Sequence, residues 1–241
     1  MDWKEFWDTF PAGFDDQSFY RQVGKTFQGE PISQWQFDLL VRDVQSKIDL
    51  KPDDRILDLC CGNGLITRQI AANCKSVMAI DFSEALISIA QKHHSAPNIR
   101  YCCKSALDIC PEDLIDGEPF TKVYMYEALQ HFRPEDLAPL ISRIESVCTG
   151  STIVLLASVT DADRLTMFYD TPERLEEYYR KKVRGDLMLG TWWDKSFIRD
   201  ECERQNFDCA FYDQPSGLHT AHYRFDVCMV KRPAPVLSEP V

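Results

Sequence analysis

The chain has 241 residues, 44% of them hydrophobic, which is enough for one α/β domain to bury a full core without a structural metal or disulfide. Its formal net charge of -11, with no long run of one sign, argues against a clustered cationic surface for nucleic acid. No stretch reaches the roughly 18 consecutive apolar residues of a membrane span, and the start of the chain lacks the basic-then-apolar order of a signal peptide. We therefore predict a cytoplasmic monomer or homodimer without nucleic-acid or membrane partners.

The chain also contains ten cysteines, most of them inside apolar runs. The adjacent pairs at 60–61 and 102–103 lack the C-x-x-C spacing of a zinc site or a redox dithiol. We expect reduced core cysteines and no metal site.

The first fifty residues predict a helical cover. Residues 1–31 are aromatic-rich and irregular, which is typical either of a cover over a pocket or of a packed extension. Ser33 is positioned to cap a helix that ends before the sequence KPDD at 51–54. The apolar residues of this helix recur at helical spacing, namely Phe37, Leu40, Val41, Val44 and Ile48.

After residue 55 the predicted elements alternate between strands and helices. Strands apolar on both faces and separated by helices form a buried, parallel sheet. We therefore predict an α/β fold with a Rossmann-like, doubly wound, mostly parallel seven-stranded sheet. The first strands are predicted over 56–60, 76–80, 98–103, 122–126 and 152–159, and the helices over 65–72, 83–92 and 137–147.

The alternation is interrupted after the fifth strand. Residues 160–193 are polar and aromatic, and we predict that they form an inserted lid containing a helix capped by Thr171. Asp194 caps another helix, and strands over 207–213 and 222–231 close the sheet. The prediction is a single domain over 1–232, with a cover at 1–50 and a disordered tail at 233–241.

Two features at the ends of the first two strands predict a nucleoside pocket. Gly62 and Gly64 follow the first strand, where a ligand can lie against bare backbone and the free N–H groups of the next helix. Asp81 ends the second strand, and its carboxylate can accept both hydroxyl hydrogens of a ribose. Ligands of such sheets bind beyond the carboxyl ends of the strands. An ordinary tight turn and a helix-capping aspartate are the alternative interpretation.

Two classes of nucleoside-containing ligand fit such a pocket, and a family resemblance distinguishes between them. A dinucleotide-binding turn, G-x-G-x-x-G, needs a third glycine where this chain has Thr67. The run ILDLCCGNG at 56–64 instead resembles the first motif of class I S-adenosylmethionine-dependent methyltransferases, a strand followed by D-x-G-x-G-x-G, with Cys60 in place of the first glycine. The resemblance extends in good order over about Ser33 to Val159. It implies a methyltransferase of the small-molecule type.

The resemblance implies S-adenosylmethionine as cofactor and S-adenosylhomocysteine as product. It places the ribose on Asp81 and the adenine beside Phe82, while Cys60 narrows the pocket. Where the family has G-D-A this chain has KSA, so Ser105 would make a weaker adenine contact unless Asp108 reaches instead. The implied cofactor residues are Asp58, Cys60, Cys61, Gly62, Gly64, Asp81, Phe82, Ser105, Ala106 and Met125.

The fourth strand, FTKVYMYEALQHF at 120–132, resembles the family segment FDxVxxxxxLxH, with Thr121 in place of the aspartate. In the family this strand ends against the sulfonium, which implies that Tyr126, Glu127 and His131 line the reacting centre. His131 is the candidate base for an oxygen acceptor, because imidazole titrates near neutral pH. Its alternative role is a hydrogen bond to the backbone.

The acceptor is less clearly indicated. His219 and His222 enter the last predicted strand, where a three-residue offset places them on opposite faces rather than around a metal. The aromatic residues of the cover and lid either roof a planar acceptor or form an ordinary contact between lid and core. Cations of the lid helix indicate an anionic acceptor or a solvated helix face. The candidate substrate residues are Tyr20, Tyr169, Trp192, His219 and His222.

The leading hypothesis is O-methylation of a small molecule in secondary or carbohydrate metabolism. Methylation of nitrogen or carbon is the first alternative. A nucleotide-dependent oxidoreductase is disfavoured by the missing third glycine. The departures at Cys60, Ser105 and Thr121 also leave room for a non-catalytic protein that binds the cofactor.

Overall fold

A seven-stranded sheet organises the residues that the computed structural model describes, which are 1–186 and 189–232. After an N-terminal hairpin of β1 (Thr26–Phe27) and β2 (Glu30–Pro31), its strands are β3 (Arg55–Leu59), β4 (Ser76–Asp81), β5 (Ile99–Cys103), β6 (Phe120–Tyr126), β7 (Cys148–Thr160), β8 (Phe207–Asp213) and β9 (Arg224–Lys231). The order is β5-β4-β3-β6-β7-β9-β8. Strands β3 to β7 are parallel, and β9 is antiparallel to both neighbours. The predicted doubly wound, mostly parallel sheet is confirmed.

Helices cover both faces of this sheet. The helices are α1 (Trp3–Thr9), α2 (Phe19–Gln22), α3 (Gln34–Lys47), α4 (Leu65–Ala71), α5 (Glu84–His93), α6 (Leu137–Ser146), α7 (Leu165–Phe168), α8 (Pro172–Arg184) and α9 (Lys195–Arg204). One apolar core contains residues of α3 and α4, and a second contains residues of α6 and α9 on the other side of the strands. As predicted, the Ser33 hydroxyl caps α3 by accepting from Gln36 N at 3.2 Å.

Residues 1–31 form α1, a 3-10 turn, α2 and the hairpin. One sequence-based expectation about the fold was wrong. The last strand begins at Arg224, so His219 and His222 lie in the turns that precede it. Their predicted placement on opposite strand faces therefore does not apply.

The segment between β7 and α9 contains α7 and α8. Thr171 caps α8 by accepting from Arg174 N, and Gly185 ends it in the left-handed conformation. Only Tyr178 of α8 is buried. A lid role for this segment stays a prediction, and the predicted tail at 233–241 lies outside the described residues. Within those residues no helix has the length and apolar character needed to cross a membrane.

Candidate functional site

The site lies where the winding of the sheet reverses. Strand β3 is flanked by β4, which continues towards one edge, and by β6, which begins the other half. Ligands of open α/β sheets bind beyond the carboxyl ends of strands at this point. The chain leaves β3 at Cys60, β4 at Phe82 and β6 at Glu127, so these three ends define the candidate site.

Asp58, inside the end of β3, anchors the turn that follows. Its Oδ2 accepts hydrogen bonds from the Thr67 hydroxyl at 2.5 Å and from the Tyr124 hydroxyl. Burial raises the pKa of Asp58 to about 7, against the opposing effect of these two donors. Asp58 therefore fixes α4 and β6 relative to β3.

The turn after β3 is built from left-handed residues. Cys60, Gly62 and Gly64 have φ of 58°, 57° and 78°. A Cβ on Gly62 would lie 3.1 Å from Val23, and one on Gly64 would overlap the Tyr101 hydroxyl. The missing side chains thus make room for neighbouring protein. Gly62 lines the first cavity described below and Gly64 does not, so a ligand contact of Gly64 stays a prediction.

The left-handed backbone conformation of Cys60 explains why the family usually has glycine at that position. A left-handed φ costs a non-glycine residue about 1–2 kcal/mol. The Cys60 side chain packs against the core formed around α6, which offsets part of this cost. The residue still lines the cavity described below, as expected for a substitution that narrows the pocket.

Asp81 joins β4 to the same turn. Its Oδ2 accepts from Gly62 N at 2.9 Å and its Oδ1 from Ser83 N at 2.9 Å. Burial raises the pKa of Asp81 to about 6, although both N–H donors act to lower it. The helix cap itself is Ser83, whose hydroxyl accepts from Leu86 N, so capping α5 is not the task of Asp81. Each carboxylate oxygen retains a lone pair for a ligand hydroxyl.

The N-terminal segment closes over the turn. The Asn63 amide donates to Phe19 O at 2.9 Å and to Gln22 Oε1 at 3.1 Å. Further along, the Ser83 hydroxyl donates to Trp7 O at 2.9 Å. These bonds clamp α1 and α2 onto the ends of β3 and β4, so the predicted cover lies directly over the site.

Charged residues from three parts of the chain meet at the end of β6. Glu127, with φ of 57°, pairs with Lys25 at 3.1 Å and with Arg224 at 3.4 Å. We call Lys25, Glu127 and Arg224 the cationic cluster. Burial acts to raise the pKa of Glu127, but the two cations outweigh it and hold the pKa below its ordinary value. The Glu127 carboxylate therefore stays ionised.

A bulge in β7 holds Arg224 in place. The pairing of β7 with β9 shifts register between Leu156 and Val159, which leaves Ser158 with φ of 59°. Its carbonyl accepts from Arg224 Nη1, and its N–H donates to Asp226 at 2.6 Å. Bulges often re-aim backbone groups beside functional sites.

His131 follows β6 and lies under the cover. Its ring centroid is 4.2 Å from that of Trp3 and 5.7 Å from that of Trp7. Burial, with a smaller effect of Arg224, lowers the pKa of His131 to about 3. Its Nδ1 is buried without a hydrogen-bond partner among the described residues. The imidazole is therefore neutral at physiological pH.

Two cavities meet at His131 and Phe132. The first extends along the ends of β3, β4 and β6 and opens to the surface. The second is wider and lies between α1, α8 and the segment after β6. His131 thus lies at the junction of the two cavities.

The first cavity brings together most of the predicted cofactor and catalytic residues. It is lined by Asp58, Cys60, Cys61, Gly62, Asp81, Phe82, Tyr126, Glu127 and His131. The other predicted cofactor residues lie outside its lining. Ala106 and Met125 are buried in the core, and the Ser105 hydroxyl accepts from Leu107 N. The predicted adenine contact from Ser105 stays a prediction.

The predicted substrate residues are dispersed. Trp192 lines the second cavity. Within the described part of the chain, the remaining four line neither cavity: Tyr20, Tyr169, His219 and His222. The Tyr20 hydroxyl donates to Gln34 at 3.0 Å, and its ring packs on Phe37.

Four contributors were not foreseen from the sequence: Trp7, Lys25, Asn63 and Arg224. The sequence does indicate Arg224. It stands two positions from Asp226 in a mainly apolar strand, which places both charged residues on one face. Nothing in the sequence indicates Lys25, because its partner Glu127 is 102 positions away in the chain. Among the described residues, no group of three or more His, Cys, Asp or Glu side chains could hold a metal.

Comparison with known proteins agrees with this geometry. Residues 56–151 match a family model described as a methyltransferase domain. A Methanocaldococcus jannaschii protein, "Probable cobalt-precorrin-6B C(15)-methyltransferase (decarboxylating)", is 31% identical over 46% of this chain and 55% of its own length. The 23S rRNA (uracil(1939)-C(5))-methyltransferase of Cupriavidus necator is 37% identical over 28% of this chain and 16% of its own length. The chain therefore spans about half, or much less, of these relatives.

A solved structure matches nearly the whole chain. Magnesium protoporphyrin IX methyltransferase from Synechocystis, determined with bound SAH, superposes with a TM-score of 0.61 at 17% identity. The match covers 95% of this chain and 97% of that one. At this identity the likeness concerns the fold. The family match and the relatives support the predicted methyltransferase domain over residues 56–151, and the solved structure shows the predicted fold.

Proposed function

We propose that this chain, which contains a class I methyltransferase domain, transfers a methyl group from S-adenosylmethionine to a small-molecule acceptor. One observation carries the proposal. The left-handed turn after β3 and the Asp81 carboxylate after β4 share one cavity, and that cavity continues to His131 and the second cavity. A donor and an acceptor can therefore meet at the end of β6.

The residues of the first cavity fit the cofactor. Asp81 has lone pairs left for ribose hydroxyls, while Phe82 and Leu86 supply an apolar wall beside it. Tyr126 and Glu127 line the other end of the same cavity. When bound, S-adenosylmethionine supplies an electrophilic methyl group. The protein's own task is to align the acceptor and exclude water, which the cover does through Trp3 and Trp7.

The role of His131 follows from its protonation state. A general base works best with a pKa near the operating pH, whereas the pKa of His131 is lowered to about 3. We therefore propose that the neutral imidazole positions the acceptor by a hydrogen bond through Nδ1 rather than removing its proton. This differs from the base suggested by the sequence.

We retain oxygen as the first proposed methylated atom. Carbon is the second, because one relative is named as a C(15)-methyltransferase. The cited relative that acts on rRNA matches only a short part of this chain. The net charge of -11 supports a small acceptor over nucleic acid.

Isotope transfer tests the proposal. Purified protein is incubated with a metabolite extract and S-adenosylmethionine carrying a labelled methyl group, and the products are separated by mass spectrometry. We expect one metabolite to gain one labelled methyl, with loss of the signal in Asp81→Ala. No labelled product with any extract, together with undiminished S-adenosylmethionine, would contradict the proposal.

A further inference from the structure

The charges at the end of β6 do not balance. Two cations, Lys25 and Arg224, face one carboxylate, Glu127, and both cations are buried, with side-chain exposures of 8% and 1%. Buried charges are costly unless paired. The cationic cluster therefore carries one positive charge in excess.

The cluster also has unused hydrogen-bonding capacity. Arg224 donates from Nη1 to Ser158 O and to Gln130 Oε1 at 3.2 Å, while its contact with Glu127 is longer, at 3.4 Å. Its Nε is buried and has no partner among the described residues. Unsatisfied buried donors are rare in native proteins, so each one calls for an explanation.

Lys25 presents the excess charge to the cavity. It lines the first cavity, as His131 does, and its ammonium lies 4.3 Å from the centroid of the Tyr126 ring. Lys25 comes from the cover and Glu127 from the end of β6, and both line the first cavity, so the excess charge lies where that cavity meets the end of β6. An anion bound there would lie beside Lys25, whose only carboxylate partner in the cluster, Glu127, is shared with Arg224.

The groups at this end of β6 are poorly suited to remove a proton. The pKa of His131 lies at about 3, and that of Glu127 is held low by its two cations. Burial also lowers the pKa of His219. Asp58 and Asp81 titrate higher, but they lie at the ends of β3 and β4. An acceptor that has already lost its proton needs none of them as a base.

We propose that the methyl acceptor is an organic acid that binds as its anion beside Lys25, the cation of the cluster that lines the first cavity. This inference rests on the proposed function and specifies its substrate class. An oxygen electron pair of the acid forms the new O–CH3 bond while the S–CH3 bond breaks. The electrons of the broken bond stay on sulfur, giving a thioether and a methyl ester, and no proton moves.

Matched probes test the charge preference. The protein saturated with S-adenosylhomocysteine is titrated with benzoate, benzamide and benzylamine at millimolar concentrations and followed by ligand-observed NMR. We expect benzoate to bind best. Its affinity should fall by about 10-fold in Lys25→Gln, the loss of one charge-assisted contact, and be retained in Lys25→Arg. Lys75→Gln, the same charge change before β4, should bind benzoate as the wild type does.

A second arm separates the acceptor from the cofactor, whose amino-acid end is also a carboxylate. If Lys25→Gln weakens S-adenosylhomocysteine but not 5′-methylthioadenosine, Lys25 holds the cofactor's carboxylate and the inference is wrong. Equal binding of the three probes, or a preference for benzylamine, also overturns it. If S-adenosylhomocysteine does not bind the wild type, the proposed function fails. The titrations without it then decide whether the cationic cluster still selects benzoate.

Discussion

The two halves of the candidate site are assembled in different ways. The cofactor half consists of Asp58, the turn at 60–64 and Asp81, which are close in sequence and fixed by backbone geometry. The acceptor half consists of Lys25, Glu127, His131 and Arg224, which come from the cover, β6 and the last strand. The first half is therefore a local motif on adjacent strands, while the second depends on long-range packing. Variants can separate the two.

The largest loss of stability is expected from a substitution in the acceptor half. Arg224→Met leaves Glu127 with Lys25 alone and removes the donor to Ser158 O. Leaving a buried acceptor unsatisfied typically costs about 1–3 kcal/mol, and this variant leaves two, Ser158 O and Gln130 Oε1, so we expect the summed loss in the free energy of unfolding measured with urea. Arg232→Met, which breaks an exposed pair with Asp208, should have little effect. Similar losses in both variants would contradict the role of the cluster.

A smaller loss of stability is expected from the turn of the cofactor half. In Gly64→Ala the new methyl group meets the Tyr101 hydroxyl and the residue keeps a left-handed φ. Gly117→Ala is the matched control, because Gly117 has φ of +73° with nothing within 4 Å. Overpacking should make Gly64→Ala the worse of the two by about 1–3 kcal/mol. Equal losses in urea unfolding would show that crowding at Tyr101 is unimportant.

The buried carboxylate of the cofactor half should make stability depend on pH. The pKa of Asp58 is raised from 3.8 to about 7, so the folded state holds a proton that the unfolded state has lost between these values. Its contribution is complete below pH 3.8 and is lost as pH rises through 7. The slope is at most about 1.4 kcal/mol per pH unit.

Asp58→Asn tests this dependence by difference. One amide oxygen can still accept from both Thr67 and Tyr124, since both bond to the same Oδ2 in the wild type. Unfolding free energies measured from pH 4 to 8 should show the wild type losing stability relative to the variant as pH rises. Parallel profiles would mean that Asp58 titrates normally.

The smallest expected effect concerns the departure from the family motif. Cys60→Gly relieves a left-handed residue, while the loss of side-chain packing and the extra freedom of the unfolded chain oppose the gain. Cys61→Gly gains no such relief, because Cys61 is not among the residues with positive φ. Cys60→Gly should therefore be the more stable variant by about 1–2 kcal/mol. The reverse order in thermal unfolding would contradict the strain assigned to Cys60.

Sequence reasoning succeeded where local patterns decide the structure. The strands β3 to β7, the caps Ser33 and Thr171, and the pairing of a glycine turn with Asp81 all follow from residues near one another in the chain. It failed for Lys25 because no periodicity links an isolated lysine in the cover to the end of β6. It also did not anticipate the burial of His131 under Trp3 and Trp7, which lowers the pKa of the imidazole.

Calorimetric titration with S-adenosylhomocysteine tests the central claim most directly. We expect micromolar binding to the wild type and at least about 10-fold weaker binding to Asp81→Asn, since an amide cannot accept from a ribose hydroxyl through both of its polar atoms. Asp213→Asn, at a carboxylate that pairs with Arg164 at the edge of the sheet, should bind as the wild type does. Absence of binding to the wild type, or equal affinity of Asp81→Asn, would contradict the assignment of the cavity at β3 and β4 to the cofactor.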